Sequence, residues 1–209
     1  MENNPKRTFK VDSHLAHFDI PIRDFFALKP GHNAFIIGAF IFSSGKTATM
    51  TGGDETKEFP RAMLLQRAMS DSLGGLWEGP GGSCDDTDAT VFDSVVREVY
   101  EETGLHVSRI RELVAIDEWD TVKDEQRIRA IKFSFWVEVH EANDVPGNDL
   151  FAPDWEHRIN LNPNEHEQYL WVTMADVHSY LGGQQEVKFT FPSTGNNYLA
   201  AFATVSPQS

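Results

Sequence analysis

Cysteine, basic residues and long apolar segments are all scarce in this sequence of 209 residues. Lysine and arginine together number 18 against 32 aspartates and glutamates, which gives a formal net charge of −14. A charge of that sign opposes non-specific binding to nucleic acid and to anionic membrane surfaces. We therefore expect no nucleic-acid partner and no membrane partner, and the sequence has neither a run of transmembrane length nor an internal repeat.

The scarcity of cysteine also helps to predict the cellular compartment of the protein. Cys84 is the one cysteine, so an internal disulfide is excluded. The first twenty residues lack the basic start and the apolar run of a secretory signal. Both observations predict a cytoplasmic protein. The 40% hydrophobic and 11% aromatic residues are typical of a globular protein, and the length suits one domain, as a monomer or a homodimer.

The clearest local pattern predicts an amphipathic helix over residues 91–103. Three valines lie four residues apart in it, with Phe92 and Val96 beside them, so one stripe faces a core. Thr90 precedes the first turn and is a good N-terminal cap, with an acidic residue three positions on. Gly104 follows the last turn, where a left-handed residue is favoured. The helix is therefore predicted with both ends defined.

Three carboxylates share one face of this helix. Glu98, Glu101 and Glu102 stand at i, i+3 and i+4, which places them side by side. A solvated acidic face would show the same spacing. The glycines Gly81 and Gly82 in the preceding loop favour a site, since they leave the backbone free to approach a ligand. Hard oxygen ligands gathered in this way predict Mg²⁺ or Mn²⁺.

The segment resembles the signature of a known family. Residues 97–105 read Arg-Glu-Val-Tyr-Glu-Glu-Thr-Gly-Leu, and residues 77–82 read Trp-Glu-Gly-Pro-Gly-Gly. Together they are similar to the Nudix box of the Nudix hydrolase superfamily, whose second half is matched at every defined position. The first half departs from the pattern: Asp88 stands where counting from Gly82 expects Glu, and the loop to Arg97 is one residue longer than usual. Counting back from Arg97 instead places Ala89 at that position.

The resemblance implies a fold, a cofactor and a set of roles. The expected fold is an α/β class, Nudix-type α/β/α sandwich with a mixed central sheet. In the family, residues matching Glu98 and Glu102 bind a divalent cation, the residue matching Glu101 shares in binding or activates water, and the glycine matching Gly82 offers its carbonyl. Arg97 would orient the glutamates. The resemblance thus implies catalytic Arg97, Glu98, Glu101 and Glu102, with Gly82 and the three glutamates as ligands of Mg²⁺ or Mn²⁺.

The remaining elements are predicted from alternating or continuous apolar patterns. The predicted strands are Ala34–Phe42, Ala62–Arg67, Glu112–Asp117 and Arg127–Val139. The family resemblance implies a final strand at Glu165–Val172 and a closing helix at Thr173–Leu181. Loops are predicted at residues 49–61 and 141–164. Among the few basic side chains, Arg127, Arg129 and Lys132 are candidates for phosphate contact, although charges that protect a sheet edge would explain them equally well. The predicted substrate-binding residues are Arg67, Trp77, Glu78, Arg129, Glu165 and Glu167, of which the last two are also candidates for the general base.

Three domain segments and three functions follow as hypotheses. Residues 1–30 are expected to form an N-terminal extension packed on the domain, residues 31–181 a Nudix hydrolase domain, and residues 182–209 a C-terminal tail without a predicted place. The leading function is a metal-dependent hydrolase that cleaves the diphosphate linkage of a nucleoside diphosphate joined to another group. The alternatives are a biosynthetic Nudix-fold enzyme acting on a non-nucleotide diphosphate, such as an isoprenoid, or doing other chemistry, and a non-catalytic binding module, whose sign would be loss of the box glutamates.

Overall fold

One long strand, Ala34–Lys46, organises the molecule, which we describe from a computed structural model. The structure describes residues 7–46, 58–143, 153–184 and 187–205. The strands are β1 (Lys10–Val11), β2 (Ala34–Lys46), β3 (Glu58–Arg67), β4 (Trp77–Glu78), β5 (Val107–Lys123), β6 (Gln126–Val139) and β7 (His166–Val172). The helices are α1 (Ile22–Ala27), α2 (Val91–Thr103), α3 (His140–Asn143), α4 (Met174–Leu181) and α5 (Thr194–Val205), with 3-10 turns at Ser13–Phe18 and Pro153–Arg158.

The strands form a mixed sheet in the order β1-β5-β6-β2-β3-β4, with β7 also paired to β3. The first half of β2 runs parallel to β6, from Ala34 opposite Ala130 to Ile41 opposite Val137. Its second half runs antiparallel to β3, starting at Phe42 opposite Ala62. Strand β2 therefore changes its partner midway. The loop after β4 lies against the first half of β2.

Two hydrophobic cores lie on opposite faces of β2. Ile37 and Ile41 pack with the buried side of α2, whereas Phe40 packs with Tyr198 and Phe202 of α5. Alternate strand residues point to opposite faces, so α2 and α5 cover the two sides of the sheet. This is the α/β/α sandwich with a mixed central sheet that the sequence predicts.

The predicted strands are correct in type, but three of them are clearly too short. β2 extends to Lys46 rather than Phe42, and β3 begins at Glu58 rather than Ala62, because these extra residues pair with each other. β5 extends over Val107–Lys123 rather than Glu112–Asp117, as part of a long hairpin with β6. The hairpin turns at Asp124 and Glu125, both with positive φ, as a two-residue turn requires.

The two chain ends that the sequence leaves without elements are partly structured. In the N-terminal segment, β1 pairs with β5 at Lys10 opposite Arg109, and Leu15 and Phe25 are buried in the first core. In the C-terminal segment, α5 covers the second core. Parts of both predicted loops, residues 47–57 and 144–152, lie outside the described residues. None of the helices in the described part of the chain is long and apolar enough to cross a membrane.

Candidate active site

The glycine loop of the box lies directly beside β2. The amide of Ile37 donates to the carbonyl of Gly82 at 2.9 Å, and the amide of Ala39 donates to the carbonyl of Pro80 at 2.8 Å. Gly81 has a φ of 151°, and a Cβ at this position would clash with the carbonyl oxygen of Ile37. Glycine is therefore required for the loop to reach the strand. The backbone amide of Gly81 is also left to face α2.

Helix α2 has both predicted ends. Thr90 and Asp93 form a reciprocal capping box, and Gly104 takes a left-handed conformation with a φ of 70°. The three box glutamates differ in exposure: Glu98 and Glu102 are buried, at 8% and 5% exposure, whereas the side chain of Glu101 is 50% exposed. The helix therefore places two carboxylates inside the protein and leaves the third at the surface. A simple solvated acidic face does not account for the buried pair.

Arg97 connects the loop with the helix. Its guanidinium donates to Glu98 Oε1 at 2.7 Å, to Glu101 Oε2 at 3.1 Å and to the carbonyl of Ser83 at 2.9 Å. It also donates to both oxygens of Asp88, at 3.1 and 3.0 Å. The hydrogen bond to Asp88, followed by that to Glu98, raises the pKa of Arg97 above its ordinary value. Arg97 therefore stays charged and holds two glutamates in place.

Asp88, rather than Ala89, occupies the position opposite Arg97. Its carboxylate also accepts hydrogen bonds from Ser94 Oγ at 2.7 Å and from the Asp85 amide at 3.0 Å. Burial by itself raises the pKa of the Asp88 carboxyl, but the hydrogen bonds from Arg97, Ser94 and Asp85 together lower it below its ordinary value. The longer loop thus brings an aspartate to Arg97, and the shorter acidic side chain is fully hydrogen-bonded there.

The two buried glutamates have few partners for their charge. Glu102 Oε2 accepts from the Gly81 amide at 2.8 Å. Burial raises the pKa of Glu102 well above its ordinary value, and the nearby carboxylates of Glu78, Glu98 and Glu165 raise it further. Burial likewise raises the pKa of Glu98, although Arg97 opposes that shift. A group of buried carboxylates with these shifts is poised to receive a cation.

The loop before β7 places two further side chains at this cluster. The amides of Asn160 and Asn162 donate to the carbonyls of Thr103 and Glu102, at 2.9 and 3.2 Å, so the loop covers the C-terminal end of α2. Side-chain atoms of Glu102, Glu165 and His166 then lie within 4.8 Å of one another. Burial lowers the pKa of His166, which favours its neutral form.

The other predicted substrate residues fall into two groups. Glu78 is buried, lies near Glu102 and is hydrogen-bonded to Arg67 and Thr190. Arg67 also binds Asp71, so its guanidinium is engaged in holding Glu78. The structure does not bring the remaining three to the cluster: Trp77 is buried in the second core, exposed Glu167 accepts from the Met69 amide at 3.0 Å, and exposed Arg129 lies 3.9 Å from Asp120.

A cavity of about 290 Å³ opens on the α5 side of β2. Trp119 and Phe191 form an aromatic pair in its wall, with ring centres 4.8 Å apart. Asn197 Nδ2 in the same wall donates to Asp117 Oδ2 at 2.6 Å. The remaining lining residues include Gly38, Gly79, Lys132, Ser134, Ser193 and Tyr198.

Lys132 joins this cavity to the carboxylates. It lines the cavity, and its Nζ lies 3.9 Å from Glu78 Oε2. Of the three basic side chains on β6 considered from the sequence, the structure thus brings Lys132 to the site, while Arg127 and Arg129 face Asp120. The alternation of side chains along β6 predicts this difference, because Lys132 lies on the opposite face of the strand from the two arginines.

The sequence prediction missed His166, Phe191 and Asn197. His166 stands between two glutamates that were considered, and its neighbours alone do not show that it turns inwards. Phe191 and Asn197 belong to the C-terminal segment that had no predicted place. Cys84 packs against the first core, and burial raises the pKa of its thiol to about 11, which disfavours the thiolate.

Known proteins identify the family to which this site belongs. The sequence model of the NUDIX domain matches residues 49–191, which is more than half of the chain. The chain belongs to the Nudix family. A curated Nudix relative, the 8-oxo-dGTP diphosphatase of Proteus vulgaris, is 32% identical over 82 residues, which are 39% of this chain and 67% of that protein. Together with the family match, this makes the chain a Nudix-type hydrolase.

Solved structures share the Nudix fold. The Nudix domain of NrtR from Shewanella oneidensis, solved in complex with ADP-ribose, aligns with a TM-score of 0.53 at 15% identity and covers 88% of this chain and 98% of its own. A Nudix hydrolase from Nitrosomonas europaea aligns with a TM-score of 0.50 at 16% identity, over 82% of this chain and 89% of its own. At these identities the similarity establishes the fold.

Gly82 provides a direct test of the box geometry. A Cβ at this position would lie 2.6 Å from Glu98 Oε2, so Gly82→Ala is expected to displace the Glu98 carboxylate. Because misplacing a catalytic group by about 1 Å can cost roughly 10²-fold, we expect kcat/KM to fall by about 10- to 100-fold. The free energy of unfolding should change by less than about 1 kcal/mol, since the side-chain end can move.

Steady-state kinetics and urea denaturation measure the two effects. Gly182→Ala is a matched control, because a Cβ there meets no atom closer than 3.4 Å. Equal activity of Gly82→Ala and the parent protein would show that the position of Glu98 does not matter for turnover.

Proposed function

We propose that this Nudix protein is a metal-dependent hydrolase that cleaves the diphosphate linkage of a nucleoside diphosphate joined to another group. The observation that carries the proposal is the position of Lys132, which lines the cavity and whose Nζ lies 3.9 Å from Glu78 Oε2 at the buried carboxylates. A nucleoside in the cavity would extend its phosphates past the Lys132 ammonium towards Glu98 and Glu102.

The side chains present fit a divalent cation. The donors are the carboxylates of Glu98 and Glu102, the half-exposed carboxylate of Glu101 and the carbonyl of Gly82, all oxygen atoms as Mg²⁺ and Mn²⁺ prefer. Gly82 fits closely against Glu98, as a Cβ would fill the space between them. When bound, the cation neutralises diphosphate oxygens and makes a coordinated water more acidic.

Side chains of the protein position the glutamates and the phosphate, and one of them accepts a proton. Arg97 fixes Glu98 and Glu101 by hydrogen bonds of 2.7 and 3.1 Å. Lys132 binds a phosphate oxygen and offsets its charge. Glu165 stands at the cluster beside Glu102 and is the stronger of the two candidates for accepting a proton from the attacking water, since Glu167 is bound to the Met69 amide.

The cavity favours a base over an isoprenoid. The Trp119 and Phe191 rings offer a stacking surface, and the amide of Asn197 with the carboxylate of Asp117 offers donors and acceptors to a base edge. An isoprenoid chain would offer no partner to the donors and acceptors that these two side chains do not use on each other. The Proteus vulgaris relative, an 8-oxo-dGTP diphosphatase, supports a nucleotide substrate. The presence of all three box glutamates argues against a non-catalytic binding module.

Trp119→Ala tests the nucleoside assignment. Stacking on an aromatic side chain contributes about 1–3 kcal/mol per base, so KM for nucleotide substrates should rise by roughly 5- to 150-fold. We expect kcat to change less, because Trp119 does not contact the carboxylates. Trp119→Phe keeps an aromatic face and should restore most of the affinity. If both variants keep the parent KM for every nucleotide in a panel, the base does not bind in this cavity.

A further inference from the structure

His166 is a buried polar side chain without a hydrogen-bond partner. It is 2% exposed at the start of β7. Neither Nδ1 nor Nε2 finds a hydrogen-bond partner among the described residues. Burying an imidazole without hydrogen-bond partners costs free energy of folding. In native proteins such a group usually binds a ligand or has a catalytic role. The Nudix box does not include this residue, and no step proposed above uses it.

The imidazole faces the carboxylate cluster. Its Nδ1 lies 3.9 Å from Glu102 Oε1, which is too far for a hydrogen bond. A ligand atom from each of Glu102, Glu165 and His166 lies within 4.8 Å of the others. Two ligands of one ion lie at most about twice a bond of roughly 2.1 Å apart, so small side-chain movements would bring these atoms onto one ion.

Two separate parts of the fold bring these ligands together. Glu102 comes from the last turn of α2, His166 is the first residue of β7, and Glu165 directly precedes it. The Asn162 amide joins them by donating to the Glu102 carbonyl at 3.2 Å, while the His166 amide donates to the Asn162 carbonyl at 2.9 Å. The position of His166 is thus set by the same loop that covers the end of the helix.

We propose that His166 is a nitrogen ligand of a divalent cation shared with Glu102, beside the candidate base Glu165, and that it shifts the cation preference of the site from Mg²⁺ towards Mn²⁺. Mg²⁺ strongly prefers an all-oxygen shell, whereas imidazole suits first-row transition ions. The inference rests on the proposed metal dependence. The oxygen donors of the box could bind a cation without His166.

Mn²⁺ provides both the probe and a readout independent of activity. Electron spin echo envelope modulation of the Mn²⁺-loaded protein should show coupling to a directly coordinated ¹⁴N. The coupling should be lost in His166→Gln and retained in His178→Gln, a control at an exposed histidine of α4. Competition titrations should show Mn²⁺ affinity reduced by about 10-fold or more in His166→Gln, with Mg²⁺ affinity reduced much less.

The outcomes separate this inference from the proposed function. Bound Mn²⁺ without nitrogen coupling in the parent protein, or coupling that persists in His166→Gln, would overturn the role of His166 and leave metal dependence standing. No binding of Mn²⁺ at all would overturn both. The parent spectrum decides the question even if His166→Gln fails to fold.

Discussion

Replacing Glu102 by glutamine is expected to abolish most of the hydrolase activity while stabilising the metal-free protein. Loss of a carboxylate that we propose binds the cation would remove several kcal/mol of transition-state stabilisation, so kcat/KM should fall by about 10³-fold. Without metal, Glu102 is a buried carboxylate crowded by Glu78 and Glu98. Glutamine keeps an oxygen for the Gly81 amide and removes the buried charge, so the free energy of unfolding should rise by about 1 kcal/mol.

The opposite signs of these two effects make the test specific. Activity is measured with Mn²⁺ and stability in the presence of a chelator, by urea denaturation. Glu112→Gln is the matched control, because that side chain is 40% exposed and faces His14 rather than the cluster. A Glu102→Gln protein that is less stable than the parent without metal would mean that the carboxylate serves the fold.

Replacing Asp88 by asparagine is expected to lower both the stability and the activity of the protein. The amide cannot accept both hydrogen bonds from Arg97, and it leaves the guanidinium without its main partner. Breaking a partly buried ion pair in this way should lower the free energy of unfolding by about 2–3 kcal/mol. Because Arg97 orients Glu98 and Glu101, loss of its support should reduce kcat/KM by about 10- to 100-fold.

Asp86→Asn is the control for Asp88, since Asp86 is an exposed carboxylate of the same loop. Kinetics and urea denaturation again provide the two readouts. Asp88→Glu would install the residue type usual in the family, but the extra methylene should displace Arg97 from a position already filled by four hydrogen bonds. If Asp88→Asn matches the parent in both measurements, the longer box loop does not support the glutamates.

The box helix was predictable because its determinants are local. Thr90, Asp93 and Gly104 cap it through contacts within a few residues, and the valine spacing indicates the buried face. The role of Asp88 was not decided by counting, because a one-residue longer loop permits two alignments. Only the fold shows that Asp88, and not Ala89, faces Arg97. The roles of the box residues in catalysis remain predictions.

The rest of the site depends on contacts between distant parts of the chain. Trp119 on β5 meets Phe191 of the C-terminal segment, and Asp117 meets Asn197 of α5, although neither pair has a local sequence signal. Likewise, His166 turns inwards because the loop before β7 binds the end of α2. Contacts between distant segments determine which polar residues become buried. The hydrophobic periodicity within one segment does not predict these contacts.

The most direct measurement of the central claim is product release from a panel of nucleoside triphosphates, nucleoside diphosphate sugars and isoprenoid diphosphates. Each is assayed with Mn²⁺, with Mg²⁺ and with a chelator, and the products are identified by mass spectrometry. The proposed function predicts cleavage within the diphosphate of a nucleotide member, dependent on the added cation and lost in Glu102→Gln. Turnover that persists in the chelator, or cleavage of the isoprenoid members alone, would contradict it.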